Sequence, residues 1–195
     1  PINGVPDFVE RVAEYFDESW RKEVIELGFT APALNGGRYQ VSFQSMGSYG
    51  YTALDGGAPG GTIIVMHNDF GGFPPNTDPD GNALGAAKAT AAHEFKHAIQ
   101  SATSQWSEGD WVELDATWME DIVFDDTNDY YNYLPSQSPI SSPTTALDSG
   151  GGGSYEDCVW QLFMTEEWGD QIIPDLWTWR SSHTGEGMMT SYASN

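Results

Sequence analysis

The sequence has little cysteine, few basic residues and no long apolar run. Its single cysteine, Cys158, excludes an internal disulfide, and the apolar segment around it predicts a buried small residue rather than a nucleophile. No apolar run approaches the ~20 residues that a membrane-spanning helix needs, and no basic-then-apolar leader is visible. The chain starts at Pro1 rather than Met, which indicates a processed or trimmed product.

The charge of this chain is strongly one-sided. Lys and Arg total 7 against 29 Asp and Glu, which gives a formal net charge of -22 over 195 residues. Such a surface repels phosphate backbones and anionic lipid head groups, so we expect neither a nucleic-acid nor a membrane partner. The acidity itself has two interpretations, which are solubility (also in a salty medium) and the binding of calcium or cationic substrates.

The hydrophobic pattern predicts helices on both sides of a few strands. The predicted helices cover residues 6–27, 83–101, 110–124, 155–168 and 171–179, and the predicted strands cover residues 39–44 and 62–66. Turns are expected at 35–37 and 56–61, and a long surface loop with a glycine run at 150–153 is expected over 125–154. The tail after residue 180 is weakly patterned.

Apolar residues make up 39% of the chain, which predicts a packed core rather than global disorder. The length suits a single domain, residues 1–195. The order of the predicted elements indicates an α+β fold, with a small N-terminal sheet lobe up to about residue 102 and a helical lobe from about residue 103.

The most informative motif is His93-Glu94-Phe95-Lys96-His97. Residues four apart on a helix lie on the same face, so both imidazoles can bind one ion. Glu94 follows the first histidine directly and can contact the ion's water without binding the metal. The many alanines around the motif favour a helix. The motif therefore predicts a zinc site, with His93 and His97 as ligands and Glu94 as the general base.

A catalytic zinc site takes three protein ligands and leaves one position for water. Glu113 is the best third candidate, because the 15 residues between it and His97 leave room for a loop and the start of a returning helix. Asp115, Glu120 and Asp121 are competitors. A solvated helix face is the better interpretation of Asp115, whereas Glu120 is placed to accept a hydrogen bond from a ligand histidine.

The motif followed by a helix that carries Glu113 resembles the gluzincin metallopeptidases, which include thermolysin and the zinc aminopeptidases. Ala116, Trp118 and Glu120 stand three, five and seven residues after Glu113, as in the third-ligand helix of the aminopeptidases. The chain departs from thermolysin-type enzymes at Thr117, where those enzymes have an aspartate.

Segments 90–100, 117–121 and 128–130 are similar to an uncharacterised family of secreted bacterial metalloproteases of the myxobacterial type. The resemblance covers about residues 5–180. It implies a zincin-like fold, secretion and a zinc-bound site, with the ligands His93, His97 and Glu113 and the base Glu94.

Other candidate residues have two interpretations each. Tyr155 is our candidate donor to the oxyanion, because it begins a helix after a glycine run and resembles a tyrosine in related helical lobes, but a core or surface tyrosine is the alternative. His183 is a second candidate donor or a tail histidine, and His67 is expected to be structural. The strand over 62–66 is a candidate edge for binding an extended peptide, or a purely structural strand.

Two polar loops are candidate structural calcium sites, over residues 76–82 and 125–129, but neither has the full EF-hand spacing and turn chemistry is the favoured interpretation of their oxygens. As a whole, the sequence predicts a secreted, monomeric zinc endopeptidase with a peptide or protein substrate. An aminopeptidase is the first alternative, although no GxMEN-type segment precedes the metal helix. A non-catalytic binding or adhesion module is the second, and the intact Glu94 argues against it.

Overall fold

The computed structural model describes residues 2–34, 37–55, 61–103, 105–147 and 154–194. Residues 35–36 and 56–60 of the predicted turns, and the glycine run at 150–153, lie outside the described residues. The helices are α1 (Asp7–Ser19), α2 (Asn82–Ala102), α3 (Trp111–Val123), α4 (Cys158–Trp168), α5 (Ile172–Arg180) and α6 (Met188–Ser194), and the strands are β1 (Val41–Gln44), β2 (Gly50–Leu54) and β3 (Thr62–His67). The predicted α+β class is therefore confirmed.

Short irregular helices extend several of these elements. A π-helical segment, Trp20–Glu26, continues α1 and contains the fully buried Glu23. Single 3-10 turns lie at Gln105–Ser107, Asp129–Asn132 and Tyr155–Asp157. The predicted helices are thus all present within a few residues of their expected ends, whereas β2 and α6 were not predicted.

The strands form one sheet with the order β1-β3-β2 in the described chain. β1 runs parallel to β3, and β2 runs antiparallel to it, with Tyr51 opposite Val65. β3 is therefore the central strand, and its prediction as a peptide-binding edge is wrong. The physical reason is that β3 is apolar along nearly its whole length, a pattern typical of a strand covered on both faces.

α2 is the central helix of the fold, and every residue from Gly85 to Gln100 is buried except Lys88. Its alanine-rich first half packs with α1 and the sheet in one hydrophobic cluster. Its second half contributes Phe95 and Ile99 to a larger cluster, which includes residues of α3, α4, α5 and α6. The histidine motif therefore lies on a helix that is held on all sides by packed side chains. None of the described helices combines the length and apolar character that crossing a membrane requires.

The prediction of a surface loop over 125–154 is partly wrong, because the first part of this segment is packed into the fold. Thr127, Asp129, Tyr130 and Ser138 are all buried. Hydrogen bonds satisfy the polar members of this set, for example the bond from Thr127 Oγ1 to a carboxylate oxygen of Asp78 at 2.8 Å.

The first candidate calcium loop already has a cation from the chain itself. The ammonium of Lys88 lies 2.8 Å from Asp78 Oδ2 and 3.0 Å from Asp80 Oδ2. These contacts connect the loop to α2. The second candidate loop includes Thr127, whose hydroxyl is bonded to the same Asp78, and the buried Asp129.

Candidate metal centre

α2 places the two motif histidines one turn apart on the same face. The ring centroids of His93 and His97 are 4.6 Å apart, and the ring planes are nearly perpendicular at 88°. Both side chains are buried. This is the arrangement expected for two residues at positions i and i+4 of a helix.

α3 brings Glu113 to the same point. Its Oε2 lies 3.2 Å from Nε2 of His93 and 3.2 Å from Nε2 of His97. Among the described residues, these three form the one group of His, Cys, Asp or Glu side chains whose ligand atoms lie close enough to share an ion, all within 4.8 Å of one another. The structure therefore brings together the three residues that the sequence predicts as ligands.

The second ring nitrogen of each histidine, Nδ1, forms a hydrogen bond on the side of the ring away from Glu113. Nδ1 of His93 lies 2.7 Å from Oε1 of Glu120, and Nδ1 of His97 lies 2.7 Å from Oε1 of Gln100. The predicted hydrogen bond from a candidate ligand histidine to Glu120 is thus confirmed, whereas the role of Gln100 was not predicted. With Nδ1 bonded in this way, Nε2 of each ring faces Glu113 and is the nitrogen available to a metal ion.

Burial and charge shift the pKa of these groups in opposite directions. Burial raises the pKa of Glu113, but hydrogen bonds from His93 and His97 outweigh it and hold the pKa well below its usual range. Burial lowers the pKa of His93, but hydrogen bonds to Glu113 and Glu120 raise it well above its usual value. Burial raises the pKa of Glu120 to about 7. Strongly shifted groups of this kind concentrate at functional sites.

Glu94 is buried and lines the same cavity as His93. The hydroxyl of Thr52, on β2, lies 2.8 Å from Glu94 Oε2 and 2.9 Å from the Glu94 backbone oxygen. β2 packs so closely on α2 that a Cβ added to Gly50 would come within 2.7 Å of Thr90. The sheet therefore holds the carboxylate of Glu94 in place.

Tyr155 also lies at this centre, on the 3-10 turn before α4. Its ring centroid is 5.7 Å from that of His93 and 5.1 Å from that of Tyr133, on which it stacks. The carboxylate of Glu113 is close enough to act on its hydroxyl. Burial, followed by the charge of Glu113, raises the pKa of Tyr155, so the hydroxyl is a proton-bearing donor at neutral pH.

A cavity of about 180 Å³ opens beside His93 and Glu94. The lining residues that matter for chemistry are His93, Glu94, Glu120, Asp129, Tyr133 and Tyr155. On the other side of the centre, the ring of Trp106 lies 5.2 Å from that of His97 and is 42% exposed. Trp106 was not predicted, because an aromatic residue in a segment without a helical or strand pattern carries no positional signal.

The remaining candidate residues lie elsewhere or have other roles. Asp115 is fully buried, so its interpretation as part of a solvated helix face is wrong. His67 accepts a hydrogen bond from the backbone N–H of Phe70 at 2.8 Å, in keeping with a structural role. His183 stacks on Trp179 at 3.9 Å in the turn after α5. Cys158 is buried and free, as predicted.

The chain was compared with protein-family models, with curated proteins and with solved structures, and none of them matches.

Proposed function

We propose that this protein is a zinc-dependent peptidase of zincin type, acting as a secreted endopeptidase. The observation that carries the proposal is the convergence of His93 Nε2, His97 Nε2 and Glu113 Oε2 within 4.8 Å, on two helices, beside the carboxylate of Glu94. Two imidazole nitrogens and one carboxylate oxygen suit zinc, and both Nδ1 atoms already have acceptors. The donor set therefore fits the ion.

The residues around the centre have distinct roles in this mechanism. His93, His97 and Glu113 would hold the zinc ion, which would supply a water of lowered pKa, ~7, and a positive charge to polarise the substrate carbonyl. Glu94 accepts the proton of that water and donates it to the leaving amine. Thr52 fixes the Glu94 carboxylate through its hydroxyl. Tyr155 donates a hydrogen bond to the oxygen on which negative charge develops.

The outer strand β2 is the best place for an extended peptide. It pairs with β3 on one side and carries Thr52, which is bonded to Glu94. An extended peptide that added to the other side of β2 would pass the proposed base. β2 thus replaces β3 as the candidate edge for an extended peptide.

An aminopeptidase is a second candidate, and one observation favours it. Three carboxylates, Glu94, Glu120 and Asp129, line the cavity beside His93. Such a lining attracts a cation, and the free amine of a substrate is one. The endopeptidase remains the main proposal, because the sequence has no GxMEN-type segment and β2 offers an extended binding edge.

The proposal predicts that the purified protein carries about one zinc ion per chain and cleaves casein or a quenched fluorescent peptide. Activity should be lost with a chelator and return when zinc is added, because the metal supplies the activated water. Metal analysis and a peptide-library digest measure this.

Peptides with free and acetylated amino termini separate the two candidates, since an aminopeptidase requires the free amine. Intact peptides after long incubation with the zinc-loaded protein would favour the non-catalytic binding module.

A second prediction concerns Tyr155. Changing Tyr155→Phe removes only the hydroxyl, so we expect kcat to fall by about 10²–10³-fold with little change in KM, as for the loss of one oxyanion donor. The matched control is Tyr131→Phe, since Tyr131 is 51% exposed and does not line the cavity beside Glu94. Steady-state kinetics on the peptide substrate measure both variants. Equal kcat values for the parent and Tyr155→Phe would contradict the role of Tyr155 as oxyanion donor and would indicate that its ring only packs.

A further inference from the structure

Gln100 forms three hydrogen bonds that fix the orientation of its side-chain amide. Its Nε2 donates to the backbone oxygen of Val112 at 2.9 Å and to Oδ2 of Asp115 at 2.9 Å. Both partners act only as acceptors here, so the NH₂ group must face them and Oε1 must face His97. His97 Nδ1, 2.7 Å from that oxygen, is therefore the donor. The amide thus determines which nitrogen of His97 is free to bind a metal.

A buried ion pair holds the acceptor on which this orientation depends. Lys96 Nζ lies 3.2 Å from Asp115 Oδ2, and both side chains are 0% exposed. Lys96 also lies 3.2 Å from the ring centroid of Phe29. Charges buried this deeply cost free energy unless they are compensated, so the pair calls for a reason beyond stability.

The ion pair and the amide connect the two helices that carry the candidate ligands. Lys96, His97 and Gln100 lie on α2, whereas Asp115 and Val112 lie on α3 on either side of Glu113. Contacts between these residues therefore set the position of the imidazoles relative to the Glu113 carboxylate. Small displacements of metal ligands weaken binding, and loss of a partner behind a ligand histidine commonly costs 10–100-fold in affinity.

We propose that Gln100, held by the Lys96–Asp115 ion pair, is a positioning residue that sets the tautomer and orientation of His97 and thereby the zinc affinity of the site. This inference rests on the metal site of the proposed function but not on peptide cleavage. None of its three residues is a metal ligand, and none lines the cavity beside Glu94.

The first test changes Gln100→Met, which keeps the length of the side chain and removes its donor and acceptor. Zinc affinity, measured by competition with a chromogenic chelator, should fall by about 10–100-fold. The matched control is Gln161→Met, because Gln161 is also a buried helical glutamine but donates to Tyr192 instead of bonding a candidate ligand. This control should keep the affinity of the parent. The absorption spectrum of the Co²⁺-substituted protein should change for Gln100→Met alone.

A second test removes the ion pair as a unit with Lys96→Met and Asp115→Leu together. Replacing a buried pair with apolar residues of similar volume is often neutral for folding, so the double variant should fold. Gln100 then keeps only the Val112 acceptor, and we expect zinc affinity to fall by about tenfold, at the lower end of the range for a lost partner. An unchanged affinity would overturn the role of the ion pair.

A third measurement needs no substitution. In ¹H–¹⁵N spectra of the histidine side chains of the zinc-loaded protein, we expect the proton of His97 on Nδ1, which lies 2.7 Å from Gln100 Oε1. A proton on Nε2 would overturn the inference, as would parental zinc affinity in Gln100→Met. If zinc binding depends on Gln100 but the protein cleaves no peptide, the inference stands and only the proposed peptidase function is overturned. A parent that binds no zinc would overturn both.

Discussion

Replacing Glu94 with glutamine is expected to lower kcat by about 10²–10⁴-fold while zinc remains bound at one ion per chain. Glutamine has nearly the shape of glutamate and can still accept the hydrogen bond from Thr52, which lies 2.8 Å from Glu94 Oε2. It cannot take a proton from water at neutral pH. The variant therefore separates the base from the ligands, because none of the three ligand atoms is altered.

The measurement combines kcat on a quenched peptide with metal analysis of the same preparation. Glu167→Gln serves as the matched control, since Glu167 is an exposed glutamate of α4 and loses the same charge. We expect this control to match the parent in both quantities. A Glu94→Gln variant that cleaves peptide at the parental rate would eliminate the proposed mechanism, whatever its zinc content.

The local part of this centre could be predicted from the sequence because helix geometry is regular. Positions i and i+4 always share a face, so His93 and His97 had to lie side by side once α2 formed. The same regularity placed Glu120 on the face of Glu113, where it bonds His93. The packing of α3 against α2 was harder to predict. The short loop between the two helices was the feature of the sequence that indicated it.

The errors concern pairings between segments that are distant in sequence. The apolar pattern of β3 identified a strand but not its neighbours, and β2 was missed because Gly50–Leu54 mixes small, polar and aromatic residues. The order β1-β3-β2 therefore could not be derived. α6 was missed because only Met188, Ser191 and Tyr192 of this short helix are buried. Patterns this short do not exceed the background of a polar tail.

Asp115 shows a different reason for error. A carboxylate on a helix is usually solvated, and the sequence alone gives that interpretation. Here Lys96 on α2 compensates the charge in the interior, at 3.2 Å. Lys96 occupies a middle position of the histidine motif, where a charged residue would normally face solvent. Only the packing of α2 between the sheet and α3 reveals that both side chains point inward.

The largest expected change in metal binding comes from Glu113→Gln. Glu113 Oε2 lies 3.2 Å from Nε2 of both histidines, and no other described carboxylate joins this group. An amide oxygen carries no net charge and is a much weaker ligand for zinc. Since losing an outer partner already costs about 10–100-fold, we expect the zinc affinity of Glu113→Gln to fall by at least about 100-fold.

Thermal unfolding with and without zinc gives an independent measurement of the same effect. A ligand present at 100 times its Kd stabilises the folded state by about 2.7 kcal/mol, so zinc should raise the Tm of the parent. At the same zinc concentration, a 100-fold weaker site retains only about 0.4 kcal/mol, and the Tm of Glu113→Gln should barely change. Glu167→Gln should keep the full shift. If Glu113→Gln also kept it, the third ligand would have to be another group, and the convergence of α2 and α3 at Glu113 would no longer identify a zinc site.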